Sequence, residues 1–216
     1  MTIQVPGIAP QRLLATYVGY ANDQVPPTPV DVADLAWLER ASRHPMDFMA
    51  SAFEDAVRDI SAQGVTDLAG NHTTLPEDLA RFLQDGGLRD RLRSATNSYF
   101  DLGDAAVAVD GGRLVHLISD SQWVFHWLLY LGEDGSSAIV GTSFPAGFDL
   151  DADDYEEATW LHEDRRYVLV ADSFAEFIWR WWMDNEVFYR AVVGKASLTT
   201  EQKAYVAQYG SPTSLD

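Results

Sequence analysis

Residues 122–131, QWVFHWLLYL, limit the possible folds more than any other stretch. Read with a period of two, Trp123, Phe125, Trp127, Leu129 and Leu131 share one face, and Val124, His126, Leu128 and Tyr130 the other. Both faces are largely apolar, so the stretch predicts a central strand covered on both sides. The near-apolar run Trp123–Leu131 falls far short of the roughly 20 residues a membrane helix needs. Turn chemistry flanks it. Asp110-Gly111-Gly112 precedes a predicted strand at Leu114–Ser119, with weak alternation over Ala105–Val109 before the turn. Gly132-Glu133-Asp134-Gly135 reads as a hairpin loop into a third strand, Ser137–Ser143. Consecutive strands with short turns make an antiparallel meander, and Arg166–Ala171 adds one more strand after an irregular acidic stretch.

Helical periodicity brackets this sheet. Ser173 and Glu176 have capping-box spacing ahead of a long aromatic helix. Phe174, Phe177, Ile178, Trp181, Phe188 and Val192 form its inward stripe, Trp182 and Tyr189 its shoulder, and Gly194 its stop. A last helix within Leu198–Tyr209 carries a Thr199–Gln202 capping box. On the N-terminal side, Gln11–Ala21 suits a short helix, and Asp31 an N-cap for a helix to about Arg43. Met46, Met49, Phe53, Val57 and Ile60 suit an amphipathic helix from Pro45 that stops at Gly64. Thr74 and Glu77 frame a further helix to Gln84 that Gly86 and Gly87 end. The expected fold class is α+β: a mostly antiparallel sheet packed by helices. Residues 1–70 are expected to form an N-terminal helical extension to an α+β domain over 71–216, with packing of the two as one unit left open.

The motifs that announce common chemistries are missing. The chain has no cysteine, which removes disulfides, thiolate metal sites and cysteine nucleophiles. It contains no GxxxxGK[ST], no GxGxxG, no GxSxG and no HExxH. The run from Asp149 resembles a calcium loop at its start. It then places Asp154 where the turn glycine belongs and Trp160 where the bidentate glutamate belongs. His116 and His126 become cross-strand neighbours if Asp120–Gln122 is a tight loop, but a metal needs a third ligand that the sequence does not place. No catalytic, cofactor-binding or metal-ligating set is expected. The N-terminal residues lack a secretory pattern, so a cytoplasmic location is expected.

The formal charge is −18, from 15 basic and 33 acidic residues. Such a surface repels nucleic acid and anionic membrane and attracts a basic protein. The densest acidic run is Asp149, Asp151, Asp153, Asp154, Glu156 and Glu157, the candidate docking surface. Trp179 points away from the inward stripe of its helix. It either meets another layer, such as the N-terminal helices, or anchors a partner. Asn185 interrupts the stripe and is expected to pin a neighbouring backbone segment. Arg89, Arg91 and Arg93, flanked by Asp85 and Asp90, read as a locally paired, solvated face.

Four stretches in order, LPEDLARFL, LRDRLRSATNSYFDLGD, LVHLISDSQWVFHWLLYLGEDG and VADSFAEFIWRWWMDNEVFY, resemble the SMI1/KNR4 family of the SUKH superfamily. The most telling parts are Asp120-x-Gln122 before the Trp127-x-x-Tyr130 strand, Ala171-Asp172-Ser173-Phe174-x-x-Phe177, and Arg180-x-Trp182-x-x-Asn185-Glu186. The resemblance spans about Leu75 to Tyr189. It implies an α+β fold and a non-enzymatic role. Many bacterial members are immunity proteins that bind a cognate toxin, often a nuclease, and others are regulatory or scaffolding proteins. It implies no catalytic residues. The chain departs from the family where Gln84-Asp85-Gly86-Gly87 replaces the usual Asn-Gly, and its first seventy residues lie outside the likeness.

Overall fold

The computed structural model describes residues 8–12, 28, 31–44, 62–69, 74–100, 106–109, 111–122, 125–142 and 167–207. Seven strands form one sheet: β1 (Ile8–Arg12), β2 (Tyr99–Phe100), β3 (Val107–Val109), β4 (Gly112–Ser119), β5 (His126–Gly132), β6 (Ser137–Thr142) and β7 (Tyr167–Ala171). Their order is β1-β7-β6-β5-β4-β2, and β3 also pairs with β4. All pairings are antiparallel except β1 with β7. β5 lies between β4 and β6 and is buried at every position. Phe125, Trp127, Leu129 and Leu131 enter the large helix-covered core, while Leu128 and Tyr130 enter a second cluster on the other face. The period-two reading therefore holds for Phe125–Leu131, while Trp123 and Val124 lie outside the described residues and the strand begins at His126 rather than Gln122.

Both turns follow their glycines. Gly111 closes the β3–β4 hairpin at φ 74°, and the Tyr130 hydroxyl donates to its carbonyl at 3.0 Å. Gly135 turns the β5–β6 hairpin at φ 82°. Both values lie in the left-handed region that a side chain disfavours.

The helices are α1 (Ala36–Glu39), α2 (Ala62–Ala69), α3 (Glu77–Gln84), α4 (Gly86–Arg89), α5 (Phe174–Phe188) and α6 (Thr200–Val206), with a π-helical turn over Tyr189–Val193. α5 is the centre of the helical layer. Its inward stripe is wider than predicted: Phe174, Ala175, Phe177, Ile178, Trp179, Trp181 and Met183 are all buried. A helix that is apolar around most of its circumference must be enveloped, and α5 touches β6 and β7, α3, Trp37 of α1 and Tyr205 of α6. The stripe also stops earlier than predicted. Phe188 is partly covered and Val192 is 59% exposed, because the chain widens into the π turn beyond the helix's packed part.

The start of α5 is satisfied from two sides. Ser173 Oγ accepts the Glu176 amide at 3.1 Å, as its spacing predicts. The return bond from Glu176 goes to the Asp172 amide at 2.9 Å, one residue before the expected one. Asp78 of α3 adds a third acceptor, taking the Ala175 amide at 2.7 Å. Replacing Ser173 by Ala is expected to cost about 1 kcal/mol, measured by urea unfolding, with Asp78→Ala costing a similar amount by freeing the Ala175 amide. The Thr199–Gln202 capping box of α6 forms in full.

Several N-terminal expectations are corrected. Ile8–Arg12 is a strand where a helix was expected from Gln11, and the rest of that segment lies outside the described residues. Pro10 is tolerated because β1 lies at the edge of the sheet among the described residues and its register with β7 shifts between Ala9 and Arg12. Only one turn of the Asp31–Arg43 helix forms, since Leu35 sits at φ 56° and Asp34, not Asp31, accepts the Ala36 amide. Gly64 lies inside α2 rather than ending a helix, and the predicted helix from Pro45 is outside the described residues. Thr74 does not cap α3, whose N-cap is Pro76 with no side-chain bond. Gly86 and Gly87 open α4, with Asp85 capping Gly87 at 2.8 Å. Val32, Leu35, Leu38 and Val65 from the first seventy residues join the same core as β4, β5 and α5.

Candidate functional site

The densest buried polar cluster lies on the second face of the sheet. His116 on β4 pairs with Leu128, and Ser119 at the end of β4 pairs with His126 at the start of β5. His116 and Ser119 have opposite parity in sequence, so a regular strand would place them on opposite faces. A bulge between His116 and Ile118 resets the pleat. Leu117 and Ile118 both enter the helix-covered core, and Ser119 swings to the side of His116. Ser119 Oγ then lies 2.9 Å from His116 Nε2 and 3.1 Å from His126 Nδ1, and the two ring nitrogens are 3.2 Å apart. The rings meet edge to face, at 78°.

All three side chains are at most 1% exposed. Burial pushes the His116 pKa down to about 4, against a weaker opposing bond to the Ile118 backbone. His116 is therefore neutral at pH 7. A serine hydroxyl on a neutral imidazole resembles a nucleophile and its base, but substrate needs access that these buried atoms do not offer. Among the described residues no three His, Asp or Glu side chains converge as a metal set.

The tight Asp120–Gln122 loop that would make the two histidines direct cross-strand partners does not form: β4 ends at Ser119 and β5 begins at His126, so His126 pairs with Ser119 and His116 with Leu128, and the rings meet diagonally; the sequence reading missed Ser119. The available signal was three polar residues, His116, Ser119 and His126, in otherwise apolar strand text, since buried polar groups require partners.

The remaining candidates separate clearly. Asp149, Asp151, Asp153, Asp154, Glu156 and Glu157 lie outside the described residues. Trp179 is not an exposed anchor: it is 5% exposed and packs edge-on against Tyr205, ring centroids 5.3 Å apart. Among the described residues, the ring it meets is that of Tyr205 on α6. Asn185 does pin a backbone segment, accepting the Ala95 amide at 2.6 Å and donating to the Trp181 carbonyl at 2.8 Å. The arginines are not paired with Asp85 and Asp90 as expected. Arg93 grips Glu186 with two bonds of 2.8 and 2.9 Å and stacks 4.0 Å from the Tyr189 ring. Arg89 donates to the Leu83 carbonyl and Arg91 to the Ala41 carbonyl. These arginines fasten the helical layer, because helix ends and loops leave carbonyls that need donors.

One open cleft of about 340 Å³ is lined by Ala33, Asp34, Glu77, Asp78 and Arg81. Asp78 is committed to α5, and Arg81 to the Asp34 carbonyl and Glu39. The cleft wall is acidic, with Glu77 exposed. No helix among the described residues is long and apolar enough to cross a membrane. No family model, curated protein or solved structure matches the chain.

Proposed function

We propose that the chain is a non-enzymatic protein-binding module of the immunity type, which neutralises a basic toxin domain by covering it. The observation that carries the reading is the ordered likeness of Leu75–Tyr189 to the SMI1/KNR4 family, joined to a formal charge of −18. The acidic balance supports a basic partner over nucleic acid or an anionic surface. The cleft between Ala33–Asp34 and α3, lined by three acids and one arginine, supports the same sign of partner. The mechanism is steric occlusion preceded by electrostatic steering, which raises association rates above the ordinary 10⁵–10⁶ M⁻¹s⁻¹ and makes them salt-dependent.

The test begins with co-purification with the product of the adjacent reading frame and rescue of cells expressing that product. Failure of both capture and rescue would remove the immunity reading. Given a partner, changing Asp149, Asp151, Asp153 and Asp154 to Asn, and Glu156 and Glu157 to Gln, is expected to slow association at low salt by roughly tenfold or more and to flatten its salt dependence. An unchanged rate and slope would take this run out of the contact.

A further inference from the structure

We propose that two copies of this chain pair by placing the exposed elbow that follows α5 of one into the cleft beside α3 of the other. Among the described residues the exposed large hydrophobic side chains all lie beyond α5: Val192 at 59%, Val193 at 60% and, at the end of α6, Val206 at 39%. A lone exposed valine needs no explanation. Val192 and Val193 are adjacent on the π turn and flanked by exposed Ala191 and Ala196, so they form a patch.

The elbow is held in shape. The Gly194 amide donates to the Tyr189 carbonyl at 2.8 Å, the Ala196 amide to the Arg190 carbonyl at 2.9 Å, and Arg190 Nε to the Ser197 carbonyl at 2.6 Å. Lys195 sits at φ 49°, in the left-handed region that a lysine rarely enters. A fixed apolar tip loses little freedom on binding.

Charge selects the occupant. Tyr189–Ala207 carries Arg190, Lys195 and Lys203 against Glu201 alone, all exposed, in a chain of 15 basic and 33 acidic residues. Such an elbow repels a basic partner and fits an acidic surface. The chain itself offers one that is concave: the cleft of about 340 Å³ between Ala33–Asp34 and α3, where Asp34 and Glu77 are exposed. Its own elbow cannot fill it. The cleft residue Asp78 binds α5 at Ala175, and Val192 lies roughly 25 Å further along the helix. The occupant is therefore a second copy. Cleft and elbow lie toward opposite ends of α5, so two antiparallel copies engage both contacts at once and close about a two-fold axis. Trp182, partly covered by Trp37 at 5.3 Å, lies on α5 between them. The mutual repulsion of two acidic chains is screened beyond about 8 Å at physiological salt, whereas the contact itself sets basic against acidic side chains. The pairing does not rest on the toxin reading.

Sedimentation equilibrium of the full chain tests it. The mass is expected to rise from one chain to two across the micromolar range. Val192→Ser/Val193→Ser/Lys195→Asn removes the tip while Asn tolerates the left-handed backbone. It is expected to weaken pairing by roughly tenfold or more, and Glu77→Lys is expected to weaken it from the other side. The two variants mixed are expected to pair better than either alone, because the intact cleft of one meets the intact elbow of the other. A single-chain mass throughout, a dimer that either variant leaves unweakened, or a mixture no better than its parts would overturn the pairing. Should the elbow variant not fold, Glu77→Lys alone decides, and a dimer it leaves intact overturns the pairing.

Discussion

Trp181→Ala is expected to destabilise the fold by about 3–5 kcal/mol, read as a lower midpoint in urea with an unchanged slope. The indole is 1% exposed and meets Trp127 edge to face at 5.1 Å and Phe177 at 5.6 Å. It therefore joins α5 to the central strand β5. Its N–H also donates to the Arg93 carbonyl at 3.3 Å, so truncation removes a hydrogen bond and opens a cavity at once. The segment after α4 loses one of its ties to the long helix. Trp181→Phe, which keeps most of the ring, is expected to recover well over half of the loss. A Phe variant as unstable as the Ala variant would shift the weight from packing to the indole bond.

The second large effect is expected at Asn185, one turn further along the same helix. Asn185→Ala leaves the part-buried Ala95 amide without its acceptor, which costs about 1–3 kcal/mol for the orphaned donor. Asn185→Asp keeps the acceptor but sets a carboxylate against the Trp181 carbonyl, in place of the amide that donates to it at 2.8 Å. The Asp variant is therefore expected to be unstable at neutral pH and to recover as the carboxyl protonates. Unfolding curves for Asn185→Asp at pH 7 and pH 4.5, set against Asn185→Ala at the same values, check both the size and the sign.

Those two residues were legible in sequence for different reasons. Trp181 sits on the inward stripe, where period alone assigns it to the core. Asn185 is a polar interruption of that stripe, and a buried amide must find a partner. The α+β class and the alternating faces of β5 were legible in the same way, because side-chain period is local information. What stayed hidden depends on contacts far along the chain. β1 contains Pro10 and reads as no regular strand until β7 offers it an edge. The helix begun at Asp31 shrank to one turn because Leu35 adopts a left-handed conformation that its own sequence does not request. Trp179 looked outward only while α5 had a single partner layer, and Tyr205 of α6 supplies the other. Ser119 reached the histidines through a bulge, and a one-residue slip in pleat leaves no mark in hydropathy.

The pairing of β1 with β7 sets a schedule for synthesis. Ile8 finds its partner in Tyr167, and among the described residues β7 is the one strand beside it. At roughly 5–20 residues per second, the ribosome delivers that partner on the order of 10–30 s after β1 is made. α5, which covers the helix side of the sheet, is translated later still. The β3–β6 meander can therefore form before either its last strand or its main cover exists, and its apolar text is exposed through that interval. Such waiting surfaces are where nascent chains aggregate or recruit chaperones, so yield in a cell is governed by the time to reach the long helix as well as by the stability of the finished fold.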